Sequence, residues 1–275
     1  MSTALVERLA LTDDELRVVA ARVGVHDLPT VLASRPRHDT VTGREGAYER
    51  AARDLSARNL IVDGAVHPDL MPVLQALHRP DRELAMRLVT PDGTARVSVV
   101  RRGGLCVLAR RIADEILLRT VGHGVGLHDV TTALLAELPR AKVADIAPVT
   151  APLEEFMESL RAPGDAMALA DRVRALGAEP RAAMLLGAAL ASRQAFAEIV
   201  YYTLGDDEDR ICRAPSAVGV FYTGRGRVIG APSASPTGQL WSTVKAGSDH
   251  ALVQAINQLV ALGDEGWSPR GGNAF

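Results

Sequence analysis

Apolar residues recur at helical spacing through the first eighty positions of the chain. Thr12 precedes Asp13, Asp14 and Glu15, a capping-box pattern in which the hydroxyl accepts from a free helix amide and Glu15 reaches back. Leu16, Val19, Ala20 and Val23 then fall on one face. Pro29, Pro36 and Gly43 break the next segment. A second helix is predicted from Arg44, with Tyr48, Ala51, Ala52 and Leu55 inward and Asn59 at its end. Leu60-Ile61-Val62, Asp63-Gly64 and Ala65-Val66 read as two short extended pieces about a tight turn. Leu70, Val73, Leu74 and Leu77 give a third helix before Pro80.

Between residues 84 and 121 the period shortens, and turn dipeptides divide short apolar runs. Four strands are predicted, Leu84 to Val89, Arg96 to Arg101, Leu105 to Arg110 and Glu115 to Val121, with turns at Asp92-Gly93 and Gly103-Gly104. Turns this short exclude parallel crossovers, so the pairing should be antiparallel. A helix from about His128 to Leu138 follows, with Val130, Leu134 and Leu138 on one face. Residues 152 to 191 carry three helical segments, separated at Pro163-Gly164 and at Pro180, where proline suits a first turn. Their apolar positions are Leu153, Phe156, Met157 and Leu160; Met167, Leu169, Ala170, Val173 and Leu176; and Met184, Leu185, Ala188 and Leu190. Strands are predicted again at Phe196 to Leu204, Ala217 to Thr223, Arg227 to Ala231 and Gln239 to Val244. A helix from Asp249 to Leu262 closes the fold, ahead of a Gly/Pro-rich tail from Ser268 that reads as frayed.

The two strand regions share one order of elements. A shift of 122 residues aligns Ala95 to Leu138 with Ala217 to Val260 without a gap, placing Gly104 on Gly226, Leu118 on Leu240 and His128 on His250. Val130, Leu134 and Leu138 fall on Leu252, Ile256 and Val260, reproducing the closing helix face. Either the chain is a duplication, with two similar halves about a pseudo-two-fold axis, or it uses a common strand-and-helix unit twice.

Composition narrows the class. The chain has 275 residues, 47% hydrophobic and 23% charged, which suits one large domain or two closely joined ones and excludes a mainly disordered chain. A net charge of −2 gives no overall attraction to nucleic acid or an anionic membrane and leaves room for a local basic patch. Lys142 and Lys245 are the only lysines, so arginine is nearly the sole cation. Cys106 and Cys212 lack partners at ligand spacing, which argues against disulfides and a thiolate zinc site. Charged residues from Glu7 to Glu15 break any signal-peptide core, and no apolar run approaches the ~18 residues of a membrane span. A cytoplasmic soluble protein is the expectation.

No catalytic constellation is legible: there is no G-x-S-x-G elbow, Walker loop or H-E-x-x-H pair. Gly224-Arg225-Gly226 precedes a strand, not a helix, and reads as a hairpin turn. His123 and His128 bracket a Gly-rich loop without a third ligand nearby. Asp206, Asp207, Glu208 and Asp209 lack the alternating spacing of a calcium loop and read as a solvated acidic loop. No cofactor and no metal are expected. The segment 44 to 66, a helix and a short hairpin, has a second reading as a winged-helix-like DNA-binding element using Arg44, Arg50, Arg53 and Arg58. Against it, Glu45, Glu49 and Asp54 interleave with the arginines, as on a salt-bridged exposed face.

The order and spacing of many weak motifs resemble one family. They are Leu11 to Leu16, Asp27-Leu28-Pro29 with Leu32, Arg44 to Leu60, Val66 to Leu70, Leu77 to Leu84, Gly219 to Tyr222, Gly226 to Val228 and Trp241, and the resemblance runs from about residue 5 to 265. That family is EspG, the cytosolic chaperones of actinobacterial type VII (ESX) secretion. The resemblance implies an α+β fold with a central, mostly antiparallel sheet, flanking helices and two pseudo-two-fold-related halves. It implies one EspG-like domain over 1–275, with half-units of about 1–140 and 192–265 and a helical segment at 152–191. It implies a non-enzymatic chaperone that binds a PE–PPE-like heterodimer, or another helical type VII substrate, and keeps it soluble before export, with no nucleic acid or membrane partner. The family's contact surface involves a C-terminal helical bundle, here 152 to 191, and a loop between two early strands. Mycobacterial members often carry a long acidic, proline-rich insertion in that loop; here only Pro91-Asp92-Gly93-Thr94 remains. From amphipathic spacing the expected partner-binding residues are Leu153, Phe156, Met157, Leu160, Leu169, Val173 and Met184, with Asp92 added from the loop. The alternative remains a DNA-binding regulator using 44–66.

Overall fold

The Thr12 capping box forms as expected: the Glu15 amide donates to the Thr12 hydroxyl at 3.2 Å and the Thr12 amide to the Glu15 carboxylate at 2.7 Å. In the computed structural model, described for residues 7–33, 38–161, 165–204 and 211–268, this box starts the first helix. Pro36, the Pro163-Gly164 break, the Asp206 to Asp209 acidic loop and the tail beyond Ser268 lie outside the described residues. The chain divides into two compact units, one made of residues 1–85 and 95–133 as far as described, the other of 86–94 and 134–268.

The first unit contains β1 (Leu9–Thr12), α1 (Asp13–Arg22), α2 (Val41–Ala57), β2 (Ile61–Val62), β3 (Ala65–Val66) and α3 (Leu70–His78). It continues with the start of β4 (Arg82–Thr90), then β5 (Gly93–Arg102), β6 (Leu105–Ile112), β7 (Glu115–His123) and most of α4 (Leu127–Leu135). The strands run β1-β7-β6-β5, all antiparallel, and β2 and β3 form a separate hairpin about Asp63-Gly64. α2 begins three residues before the expected Arg44, because Thr40 caps it through the Gly43 amide at 3.1 Å. The core joins Leu16, Val19, Leu55, Leu70, Leu74 and Leu77 to Val107, Ile116 and Leu118, one layer from the helices and one from the sheet.

The second unit contains β8 (Val149–Pro152), α5 (Leu153–Arg161), α6 (Ala166–Ala175), α7 (Pro180–Ala191), β9 (Arg193–Leu204), β10 (Ile211–Arg213), β11 (Val218–Thr223), β12 (Gly226–Ala234), β13 (Leu240–Ala246) and α8 (Asp249–Ala261). Its strands run β9-β11-β12-β13-β8, antiparallel throughout, with β10 paired to β9. Phe156, Val173, Ala183, Leu186 and Ala189 of the helices pack with Val228 and Val244 of the sheet. The chain is thus α+β, with helices on large antiparallel sheet structure, as the sequence predicts.

The internal repeat holds at the level of elements. β5, β6, β7 and α4 recur as β11, β12, β13 and α8, and the two helices begin 122 residues apart. Residue by residue the gapless alignment fails in the hairpins. The first closes at Arg102↔Leu105, whereas its counterpart closes one position early, at Thr223↔Gly226. The next closes tightly at Ile112↔Glu115, but its counterpart, Ala234↔Leu240, spans a longer loop.

Candidate partner surface

Of the three helices of 153–191, α6 and α7 are held close by small residues at their contact. Where α7 crosses α6, a Cβ on Gly187 would stand 2.6 Å from the Ala170 nitrogen and 2.7 Å from the Ala166 oxygen, so only glycine allows this approach. α5 packs on β8 and β13, and α7 on β11.

This packing sorts the candidate residues by face. Phe156 (2% exposed), Leu169 (7%) and Val173 (0%) are in the core of the second unit. Leu153 and Leu160 are half-buried, and Leu160 packs against the same core. Met157 and Met184 face solvent at 60% and 62% exposure. Asp92 is exposed in the turn between β4 and β5. Amphipathic spacing thus marked apolar positions on all three helices but did not separate faces: Met157 follows Phe156 by one position, which turns it about 100° around the helix. Met167, at 65% exposure, completes a set of one solvent-facing methionine on each helix. Its signal was the offset from Leu169 and Val173, which own the inward face of α6. Methionine is long, unbranched and polarizable, so exposed methionines form a surface that adapts to a partner's shape. Glu154, Glu155 and Glu158 on α5 supply a polar edge around Met157.

The buried Cys106 thiol is pushed up by its burial, with Arg101 pulling the other way, which keeps it a protonated, weakly reactive group. His123 and His128 are exposed at a strand end and on α4, and no group of three His, Cys, Asp or Glu able to hold a metal occurs among the described residues. In 44–66, Arg58 donates to Glu15 at 3.1 Å and to the Ala10 carbonyl at 2.7 Å, while Arg22 holds the hairpin through the Gly64 carbonyl. The hairpin that would be the wing has two residues per strand. No helix among the described residues is long and apolar enough to cross a membrane.

The chain matches known proteins along most of its length. A model described as the EspG family matches residues 12–258. The ESX-1 secretion-associated protein EspG1 of Mycobacterium marinum is 28% identical over 256 residues, 92% of this chain and 87% of the relative. The ESX-3 secretion-associated protein EspG3 of Mycolicibacterium smegmatis is 28% identical over 266 residues, 94% of this chain and 88% of the relative. The fold matches a solved structure of the Mycobacterium tuberculosis type VII secretion system chaperone EspG5 in complex with a PE25-PPE41 dimer. That match has a TM-score of 0.80 at 17% identity and covers 96% of this chain and 100% of the other.

Proposed function

The chain belongs to the EspG family, and from that premise we propose that it is a cytosolic, non-enzymatic chaperone of type VII secretion that binds a PE–PPE-like heterodimer and keeps it soluble before export. The observation that carries the reading is the set of solvent-facing methionines on α5, α6 and α7, in a chain whose fold matches a chaperone solved with such a dimer. The apolar tip of the partner covers Met157, Met167 and Met184, and the acidic edge of α5 and the Asp92 turn form a polar rim that selects among partners. Phe156, Leu169 and Val173 shape this surface from below by fixing the helices. The chain works as one EspG-like domain, with half-units of about 1–140 and 192–265 and a helical segment at 152–191. Exchange with the export machinery requires release, which favours moderate affinity over a large dry interface.

Co-expression with a PE–PPE-like heterodimer tests this. The wild type should co-purify with the heterodimer and raise its soluble yield. Met157→Asp with Met184→Asp should weaken binding about tenfold or more without changing the far-ultraviolet spectrum, since both sites are exposed. A wild-type chain that leaves the heterodimer insoluble and unbound overturns the reading.

A further inference from the structure

Resting on the chaperone reading, we propose that four exposed cations around the β11–β12 hairpin, Arg140, Lys142, Arg193 and Arg225, form a basic collar that takes an acidic segment of the same partner.

The backbone assembles the collar. Arg193, at the start of β9, is the register partner of Thr223, and the Gly224 amide donates to the Ser192 carbonyl at 3.0 Å. Arg225 sits in the turn itself, its amide bonded to the Thr223 hydroxyl at 3.1 Å. The segment after α4 runs against the same hairpin: the Tyr222 hydroxyl donates to the Pro139 carbonyl at 3.2 Å, and the Arg227 amide to the Lys142 carbonyl at 2.6 Å. Gly226 makes that approach possible, since a Cβ there would stand 2.7 Å from the Ala144 nitrogen. Four basic side chains from three stretches of sequence are therefore fixed around one tight turn.

Among the described residues their charges are unmet. All four residues are exposed, and none has an acidic or hydrogen-bonding side-chain partner among the described residues. Arg227, whose amide meets the Lys142 carbonyl, is spent: it is buried and held by the Gly247 carbonyl at 2.6 Å and by Asp249. Asp145, also exposed, is the one acid on the stretch from Arg140 to Asp145. In a chain of net charge −2 this concentration does not follow from the overall balance. Like charges held around one turn repel one another in the free protein, most at low salt where screening is weak, and an acidic ligand removes that repulsion.

A protein partner fits better than nucleic acid. The collar has four charges on strand ends and connecting segments, and Tyr222 beside it is buried, so it offers no stacking ring. It also continues the methionine surface: Ser192 caps the C-terminus of α7, and Met184 lies eight residues back, roughly 12 Å along the axis. One partner can cover both, with the collar steering its approach.

The test uses the full chain and a fluorescein-labelled decaglutamate peptide, followed by anisotropy from about 20 to about 300 mM salt. The wild type should bind decaglutamate and not decalysine, with affinity falling as salt rises. The triple variant Lys142→Glu, Arg193→Glu, Arg225→Glu should lose about tenfold or more at low salt, and Arg193→Gln with Arg225→Gln a smaller part. The same triple variant should slow association with the PE–PPE-like heterodimer and flatten its salt dependence. Absence of decaglutamate binding, equal binding by the triple variant, unchanged heterodimer association, or preference for duplex DNA each overturns the collar. If the wild type does not hold the heterodimer, the chaperone reading fails; decaglutamate binding that the triple variant loses then still supports the collar as an acidic-peptide site.

Discussion

The Arg111 side chain is 10% exposed and nevertheless fully engaged: its guanidinium reaches Asp13 at 3.2 Å and the carbonyls of Leu32, Ala33 and Ala113 at 3.0 to 3.1 Å. Replacing Asp13 by alanine removes the carboxylate that this buried cation holds at 3.2 Å, a change that costs about 3 to 5 kcal/mol. A lower urea midpoint at unchanged slope would register it; Thr12→Ala, which removes only the cap, should cost about 1 kcal/mol. Glu83 is the titrating counterpart. Burial pushes its carboxyl from 4.5 up to about 7, partly offset by the Ser98 hydroxyl donating to it at 2.6 Å. Between those values the folded chain holds a proton that the unfolded chain has released, so stability should fall as pH rises through the window and level off above it. Urea titrations from acid to neutral pH should show that slope in the wild type and a flatter one in Glu83→Gln. Local chemistry such as the Thr12 box was readable along the chain, because its groups lie three residues apart. The Asp13–Arg111 pair spans 98 positions, and no periodicity announces it.

Helices and hairpins announced themselves when period and turn chemistry agreed. α3, α5, α7, α8 and the strands from β4 to β7 fall within a few residues of expectation. β1, β8 and β10 did not, since four residues or fewer carry too little alternation, and their pairing with β7, β13 and β9 is what makes them strands. β8 ends at Pro152 opposite Trp241, where the missing amide leaves no gap in a longer ladder. The α6–α7 crossing offers the sharpest test of an element. Gly187→Val forces a branched side chain onto the Ala170 and Ala166 backbone and should cost about 1 to 3 kcal/mol or more. If the helices separate, heterodimer binding should fall with it, because Met167 and Met184 sit on the two elements that move. Which apolar residues of these helices face solvent was the least legible feature. Helical spacing marks an apolar stripe, but only the sheet beneath it decides that Phe156 is inside and Met157 outside.

At the scale of the molecule, each unit has its own core, the first around Leu16, Leu55 and Leu74 and the second around Phe156, Val173 and Leu186. Both tryptophans, Trp241 and Trp267, belong to the second unit. Tryptophan emission therefore reports one unit, while far-ultraviolet circular dichroism reports both. If the chain acts as a single domain, the two probes should give one coincident urea transition; separated midpoints would show that the units unfold independently. The order of elements behind this division was legible in the 122-residue repeat. The altered hairpins were not, since a turn that closes one position early or spans a longer loop changes the register without disturbing the apolar pattern on either side.

The exposed Lys142, beside the β11–β12 turn, has a practical consequence. With Lys245 half-buried on β13 and every other internal cation an arginine, an amine-reactive dye has few places to go. A fluorophore attached at Lys142 would sit at the collar, where quenching or protection from modification reports occupancy in real time. Acetylation of the same amine would erase one of the four charges without touching the fold, so this short segment is also where a single covalent mark would retune the affinity.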